Sequence, residues 1–112
     1  MKRSLELDPD NVDVLTKLGE VILREPNGLD EAEQLLKKAI SIDDTVPDAL
    51  VALGRVNEKK GNLEEAIEFY EKAIKQPVTN INAYFYLGVI YEKKKEYKRS
   101  IQLFKSCLMY DD

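Results

Sequence analysis

Leu50-Val51-Ala52-Leu53-Gly54-Arg55-Val56-Asn57 is answered 34 residues later by Tyr84-Phe85-Tyr86-Leu87-Gly88-Val89-Ile90-Tyr91. The Leu-Gly pair keeps its place in both stretches. An earlier pair, Leu18-Gly19, precedes Leu53-Gly54 by 35 residues, so the first copy carries one extra residue. Small residues recur in step downstream of each pair. Ala32, Ala66 and Ser100 lie 34 apart, as do Ala39, Ala73 and Cys107. A fixed period of this size predicts stacked supersecondary units, each contacting its neighbours, rather than one closed core.

Within each unit the apolar spacing is helical. Val14, Leu15, Leu18 and Ile22 fall on one face at steps of three and four, and so do Leu50, Leu53 and Val56, then Tyr84, Leu87 and Tyr91. Polar loops follow at Pro26-Asn27-Gly28, Lys60-Gly61-Asn62 and Lys94-Lys95-Glu96. A second amphipathic stripe comes next: Ala32, Leu35, Leu36, Ala39 and Ile40 in the first unit. Its equivalents are Ala66, Phe69, Tyr70, Ala73 and Ile74, then Ser100, Leu103, Phe104, Cys107 and Leu108. Short loops make each unit an antiparallel helical hairpin. Six helices are expected, with breaks near 26–28, 43–46, 60–62, 77–80 and 94–96 and a short stub before residue 9. Start signals are read at Asp8-Pro9, at Thr45 with Asp48, and at Asn62 with Glu65. Gly19, Gly54 and Gly88 each cost about 1 kcal/mol in a helix interior relative to alanine. Their recurrence predicts sites where a facing helix leaves no room for a side chain, with Leu36, Tyr70 and Phe104 filling the space beside them.

Composition limits what such an array can do. The 112 residues are 44% hydrophobic and 34% charged, a balance suited to a packed helical protein. The net charge of -4 argues against a general nucleic-acid binder. The charge is uneven: residues 1–54 carry a net -6 and residues 55–112 a net +2. The single cysteine cannot form an intrachain disulfide, which favours an intracellular, cytoplasmic setting. No apolar run approaches the ~18–20 residues of a membrane span. There is no histidine, hence no Ser-His or Cys-His pair and no histidine metal ligand. The five glycines form no phosphate-cradling loop. An enzyme is not expected, and no catalytic residue, cofactor or metal site is assigned.

These residues resemble the tetratricopeptide repeat (TPR), with its W-x2-L-G-x2-Y, A-x3-F and late Ala and Pro positions. The third unit reads Tyr84-x2-Leu87-Gly88-x2-Tyr91, then Ser100-x3-Phe104. The second reads Leu50-x2-Leu53-Gly54-x2-Asn57, then Ala66-x3-Tyr70, Ala73 and Pro77. The first reads Leu15-x2-Leu18-Gly19-x2-Ile22, then Ala32-x3-Leu36 and Ala39. Ser4-Leu5-Glu6-Leu7-Asp8-Pro9 resembles the end of a preceding unit. The departures are Asn57 in an aromatic slot, Asp44 in a proline slot, an early Pro77 and the longer first loop. The resemblance implies an all-α, right-handed solenoid forming one array. Residues 1–11 would end a preceding repeat, with repeats at 12–46, 47–80 and 81–112.

By the same resemblance, the first helix of each hairpin lines a concave groove. Its candidate residues are Asp13, Thr16, Glu20, Leu23 and Arg24, then Asp48, Val51, Arg55, Glu58 and Lys59, then Asn82, Phe85, Val89, Glu92 and Lys93. Val51, Phe85 and Val89 make an apolar strip, and Phe85, offset from the core stripe, is the sharpest anchor candidate. The alternative for Phe85 is packing on Val51 or on a neighbouring repeat. The clamp with which some TPR proteins grip a chaperone's C-terminal carboxylate finds Thr16, Glu20, Ala52, Asn82 and Tyr86 in its slots, none of which fits. The asparagine ladder of the sugar-transferase arrays finds Lys17, Ala52 and Tyr86. Both partner classes are therefore set aside.

The implied function is a non-catalytic protein–protein interaction module, an adaptor or scaffold that binds a peptide or partner segment in the groove. The alternative is a rigid structural segment of a large assembly, using outer faces or ends. An RNA-binding helical repeat of 35-residue units is a third reading, opposed by the acidic charge and the Leu-Gly pairs. No membrane or nucleic-acid partner is expected. Lys93, Lys94, Lys95, Lys98 and Arg99 read as a solvated loop cluster, and Cys107 as a buried inert thiol. Leu103, Cys107 and Tyr110 are expected to leave an apolar strip open for self-association through uncapped ends.

Overall fold

The computed structural model describes residues 11–77 and 80–110. Within them lie six helices: α1 Val12–Leu23, α2 Leu29–Ile42, α3 Pro47–Lys60, α4 Leu63–Ile74, α5 Ile81–Lys93 and α6 Tyr97–Tyr110. No strand occurs among the described residues. The helices pair most closely as α1 with α2, α3 with α4 and α5 with α6. They then join through α2 with α3 and α4 with α5. The result is an all-α helical repeat solenoid of three stacked hairpins, 55 Å long and 30 by 22 Å across. The expected breaks meet the observed connections to within a residue, Lys60 being the last residue of α3, and residues 78–79 of the fourth break lie outside the described residues. The expected stub before residue 9 lies outside the described residues.

The core runs along the stack as overlapping clusters. Leu15, Ala39 and Ala49 hold the first junction, and Leu23, Leu36, Leu53 and Val56 the next. Leu50, Ala66, Tyr70, Leu87 and Ile90 hold the third. Ile40 packs against all three clusters and Phe69 against two of them, so no hairpin owns its core alone. This overlap follows from the sequence: each helix pair buries one stripe internally and leaves a second for its neighbour.

The glycines and large residues fit as expected. A Cβ on Gly19 would lie 2.7 Å from Leu36 Cγ, on Gly54 2.5 Å from Tyr70 Cε1, and on Gly88 2.9 Å from Phe104 Cε1. Ser100 adds a bond its alanine equivalents cannot make, donating from Oγ to the Gly88 carbonyl at 2.9 Å. Asn57, in the slot expected to hold an aromatic, is buried and donates to the Leu53 carbonyl at 3.0 Å. Its amide is thereby satisfied inside the helix.

The caps differ from the sequence reading. The N-cap of α1 is Asn11, whose side chain accepts from the Val14 N–H at 3.1 Å; Asp8-Pro9 lies outside the described residues. The N-cap of α3 is Val46, with Pro47 in the first turn. Thr45 turns back instead, donating its N–H and hydroxyl to Asp43. Asn62 stands at the N-cap of α4 but makes no side-chain cap bond. Short polar side chains can satisfy several backbone groups, and local turn geometry selects among them.

Gly61 ends α3 at φ 87°, and Lys95, 34 residues later, ends the next hairpin's first helix at φ 64°. Both loops make the same paired returns. Asn62 N–H donates to Asn57 O at 2.8 Å, and Glu96 N–H to Tyr91 O at 2.9 Å. A left-handed residue with a Cβ is strained by roughly 1 kcal/mol or more, where glycine is not. Lys95→Gly should therefore stabilise the chain by about 0.5–1 kcal/mol. Thermal unfolding would register this as a raised midpoint. An unchanged or lowered midpoint would show that Lys95 carries no strain.

Candidate functional site

The first helices of the three hairpins share one face, and two adjoining recesses open on it. The first has a volume of about 200 Å³ and is lined by Glu20 and Arg24 from α1, Asp48, Val51, Ala52 and Arg55 from α3, and Asn82 and Tyr86 from α5, with Asn80 at its rim. The second, of about 430 Å³, is lined by Arg55, Glu58 and Lys59 from α3 and by Phe85, Tyr86, Val89 and Lys93 from α5. Arg55 and Tyr86 belong to both, so the recesses form one continuous groove.

Most of the groove candidates meet there, but not all. Thr16 and Leu23 are buried, and Leu23 packs with Leu36 and Val56 in the core. Their position in the first hairpin places them inward, where the small residue Ala52 lets α1 and α3 approach. Val51 lines the groove but is only 6% exposed, so it supports the floor rather than presenting an apolar surface. Asp13 lies at the edge of a different, apolar patch with Val14, Leu18 and Val21. Glu92 is exposed and lines neither recess.

The aromatic content of the groove is larger than the sequence reading assigned. Phe85 is 49% exposed. Its inner side meets Phe104, with ring centroids 5.8 Å apart, and Tyr86 edge-on at 5.8 Å. Tyr86 stacks on buried Tyr70 at 5.8 Å and lies under the Arg55 guanidinium at 5.3 Å. Tyr86 and Asn80 lie outside the candidate set that the sequence supplies. Tyr86 follows Asn82 by four residues, one helical turn along the same stripe, and that spacing was the available signal.

The polar groups are pre-engaged in a definite way. Tyr70 donates its hydroxyl to Glu58 at 2.7 Å, and Lys93 approaches the same carboxylate at 3.6 Å. Burial first, then the Glu58 carboxylate, holds the Tyr70 phenol well above its usual range, so it stays a donor. Asn80 caps α5 by accepting from Asn82 N–H at 2.9 Å and donates to Asp48 at 2.7 Å. The loop cluster read as basic is largely partnered within the chain. Lys94 meets Glu64 at 2.9 Å, Lys93 meets Glu58, and Arg99 meets Glu96 at 3.8 Å while lying over Tyr91. Cys107 is half-buried, and burial pushes its thiol up. No cluster of three or more His, Cys, Asp or Glu among the described residues could hold a metal. No described helix is long and apolar enough to cross a membrane.

A TPR repeat family model matches residues 58–95, and a tetratricopeptide repeat model matches residues 81–112. The chain is a tetratricopeptide repeat protein. Its fold matches the crystal structure of MamA with a TM-score of 0.79 at 28% identity, covering 93% of this chain and 60% of that one. It also matches a structure from the functional characterization of Pseudomonas aeruginosa pilF, with a TM-score of 0.80 at 26% identity, covering 93% of this chain and 48% of that one. The TPR chain thus spans about half to three fifths of the length of these two neighbours. No curated protein matches it. TPR repeats are generally non-catalytic and generally serve protein–protein interaction.

Proposed function

We propose that the groove on α1, α3 and α5 binds a partner segment, with Phe85 as anchor and Val89 and Tyr86 beside it, and that the chain acts as an adaptor or scaffold. The observation that carries this reading is Phe85 itself. Its ring is half open in a recess whose aromatic floor is packed down to Tyr70 and Phe104. A rigid aromatic loses little entropy on contact, and such residues dominate interface energetics. The repeat boundaries that go with this reading are 12–46, 47–80 and 81–112, and the setting is the cytoplasm. Phe85→Ala should weaken binding of a groove ligand by about 2 kcal/mol or more while leaving the melting curve nearly unchanged. Isothermal titration beside thermal unfolding checks both. A partner bound with wild-type affinity by the Phe85→Ala protein places the contact elsewhere.

A second surface supports self-association. Ile101 and Leu108 on α6 are 51% and 74% exposed, whereas Ile67, which stands 34 residues before Ile101, is 7% exposed beneath α5. Of the strip expected from Leu103, Cys107 and Tyr110, Tyr110 is open at 48% while Leu103 and Cys107 are half-buried, and Ile101, Leu108 and Met109 extend the open surface. Leu103 packs against the third core cluster, and Tyr110 stacks on Tyr84 at 5.5 Å. On α1, Val21 is 52% exposed beside Val14 and Leu18. Those positions match Val56, Ala49 and Leu53, which α2 covers. A second copy stacked head-to-tail would cover both faces. Light scattering should show mass rising with concentration, and Leu108→Lys should abolish the rise. A monomer at every concentration would rule this contact out.

A further inference from the structure

Three of the four cations along the groove are unspent. Every acid that lines it is engaged: Glu58 by Tyr70 and Lys93, Asp48 by Asn80, and Glu20 by Lys17 at 3.4 Å. Lys93 is paired. Arg24, Arg55 and Lys59 make no side-chain hydrogen bond or ion pair to any described residue. Arg55 is the half-buried one of the three. Its Cζ lies 5.3 Å from the Tyr86 centroid, and Tyr86 is itself stacked on fully buried Tyr70. A guanidinium laid over an aromatic face has its plane held while its N–H edge stays free. That free edge matches a carboxylate in two parallel hydrogen bonds.

From this juxtaposition we infer that the groove selects segments carrying an aspartate or glutamate side chain two residues from an aromatic or branched aliphatic one. The acid sits on Arg55, flanked by Arg24 and Lys59, and the apolar side chain sits on Phe85 and Val89. The inference rests on the groove reading above and names its ligand. The spacing follows from geometry. Tyr86 lies 5.3 Å from Arg55 and 5.8 Å from Phe85, so the two subsites are neighbours across one ring. Alternate side chains of an extended segment share a face about 7 Å apart, which bridges such neighbours. Because Arg55 lines both recesses, a segment crossing the groove meets it mid-way, so the acid is an internal side chain rather than a chain terminus.

The test is selection of a random dodecapeptide library displayed as coat-protein fusions, which present no free C-terminus, on the full chain and on Arg55→Gln and Phe85→Ala. The wild-type pool should be enriched in an acid two residues from an aromatic or branched aliphatic residue. The Arg55→Gln pool should lose the acid and keep the apolar residue; the Phe85→Ala pool should lose the apolar residue. A selected peptide, synthesised with an amidated C-terminus, should bind wild type on the order of tenfold or more tighter than its version with asparagine for the acid. Arg55→Gln should abolish that difference. Arg55→Lys, a second variant that keeps the charge without the fork, should reduce it. Added salt should weaken the acidic peptide more than its asparagine version. A wild-type pool with no excess of acids, an Arg55→Gln pool like the wild-type pool, or no enrichment at all overturns the inference. Apolar enrichment that depends on Phe85 but ignores Arg55 overturns the acidic ligand while leaving the groove. Enrichment that ignores both residues overturns the groove reading with it.

Discussion

Leu53→Ala should cost the chain about 2–5 kcal/mol of stability. Leu53 is fully buried, in a cluster with Leu23, Ala32, Leu36, Ala52 and Val56. That cluster joins α1 and α2 of one hairpin to α3 of the next, and Phe69 of α4 packs against it. Truncation therefore removes apolar area and leaves a void that three helices must close at once. Backbone relaxation is limited because Gly54, the next residue, already sits against Tyr70. In a stacked array the loss falls on an interface as well as on a unit, so the first hairpin should become the least stable part. Urea unfolding followed by circular dichroism checks this through the midpoint and slope. A midpoint within error of wild type would remove Leu53 from the core.

Gly54→Leu should destabilise by roughly 1–3 kcal/mol or more, against a helix-propensity gain of about 1 kcal/mol. The sign is decided by what the new atoms meet. A Cβ alone would stand 2.5 Å from Cε1 and 2.7 Å from Cδ1 of Tyr70. Tyr70 cannot swing aside cheaply. It is fully buried, its hydroxyl is bonded to Glu58, and its ring is stacked on Tyr86. The strain should therefore spread into the groove floor and loosen Tyr86 and Arg55. Coupling is the check: Gly54→Leu combined with Tyr70→Ala should cost less than the two single changes taken together. Simple additivity in chemical denaturation would mean that the two residues do not compete for space.

The period, the hairpins and the glycine contacts could be read from the chain because each is a local or repeating constraint. Leu-Gly recurring at one place in each unit dictates a close helix approach whatever the rest of the fold, and Leu36, Tyr70 and Phe104 stand opposite those glycines. The groove was legible only in part. Arg55, Phe85 and Val89, placed on that face by the resemblance, line the recesses. Phase alone could not tell that Leu23, Thr16 and Val51 are buried, because exposure depends on how close the helices of successive hairpins sit. Nor could it show that Tyr86 bridges a buried ring and a surface guanidinium, a role that combines residues from α3, α4 and α5. The sequence by itself determined that the chain is an all-α array of hairpins, because periodic burial and close approach are written into residue spacing. Only the tertiary structure decided which cations stay unpaired and which apolar side chains stay open, because pairing and exposure are properties of the space between helices.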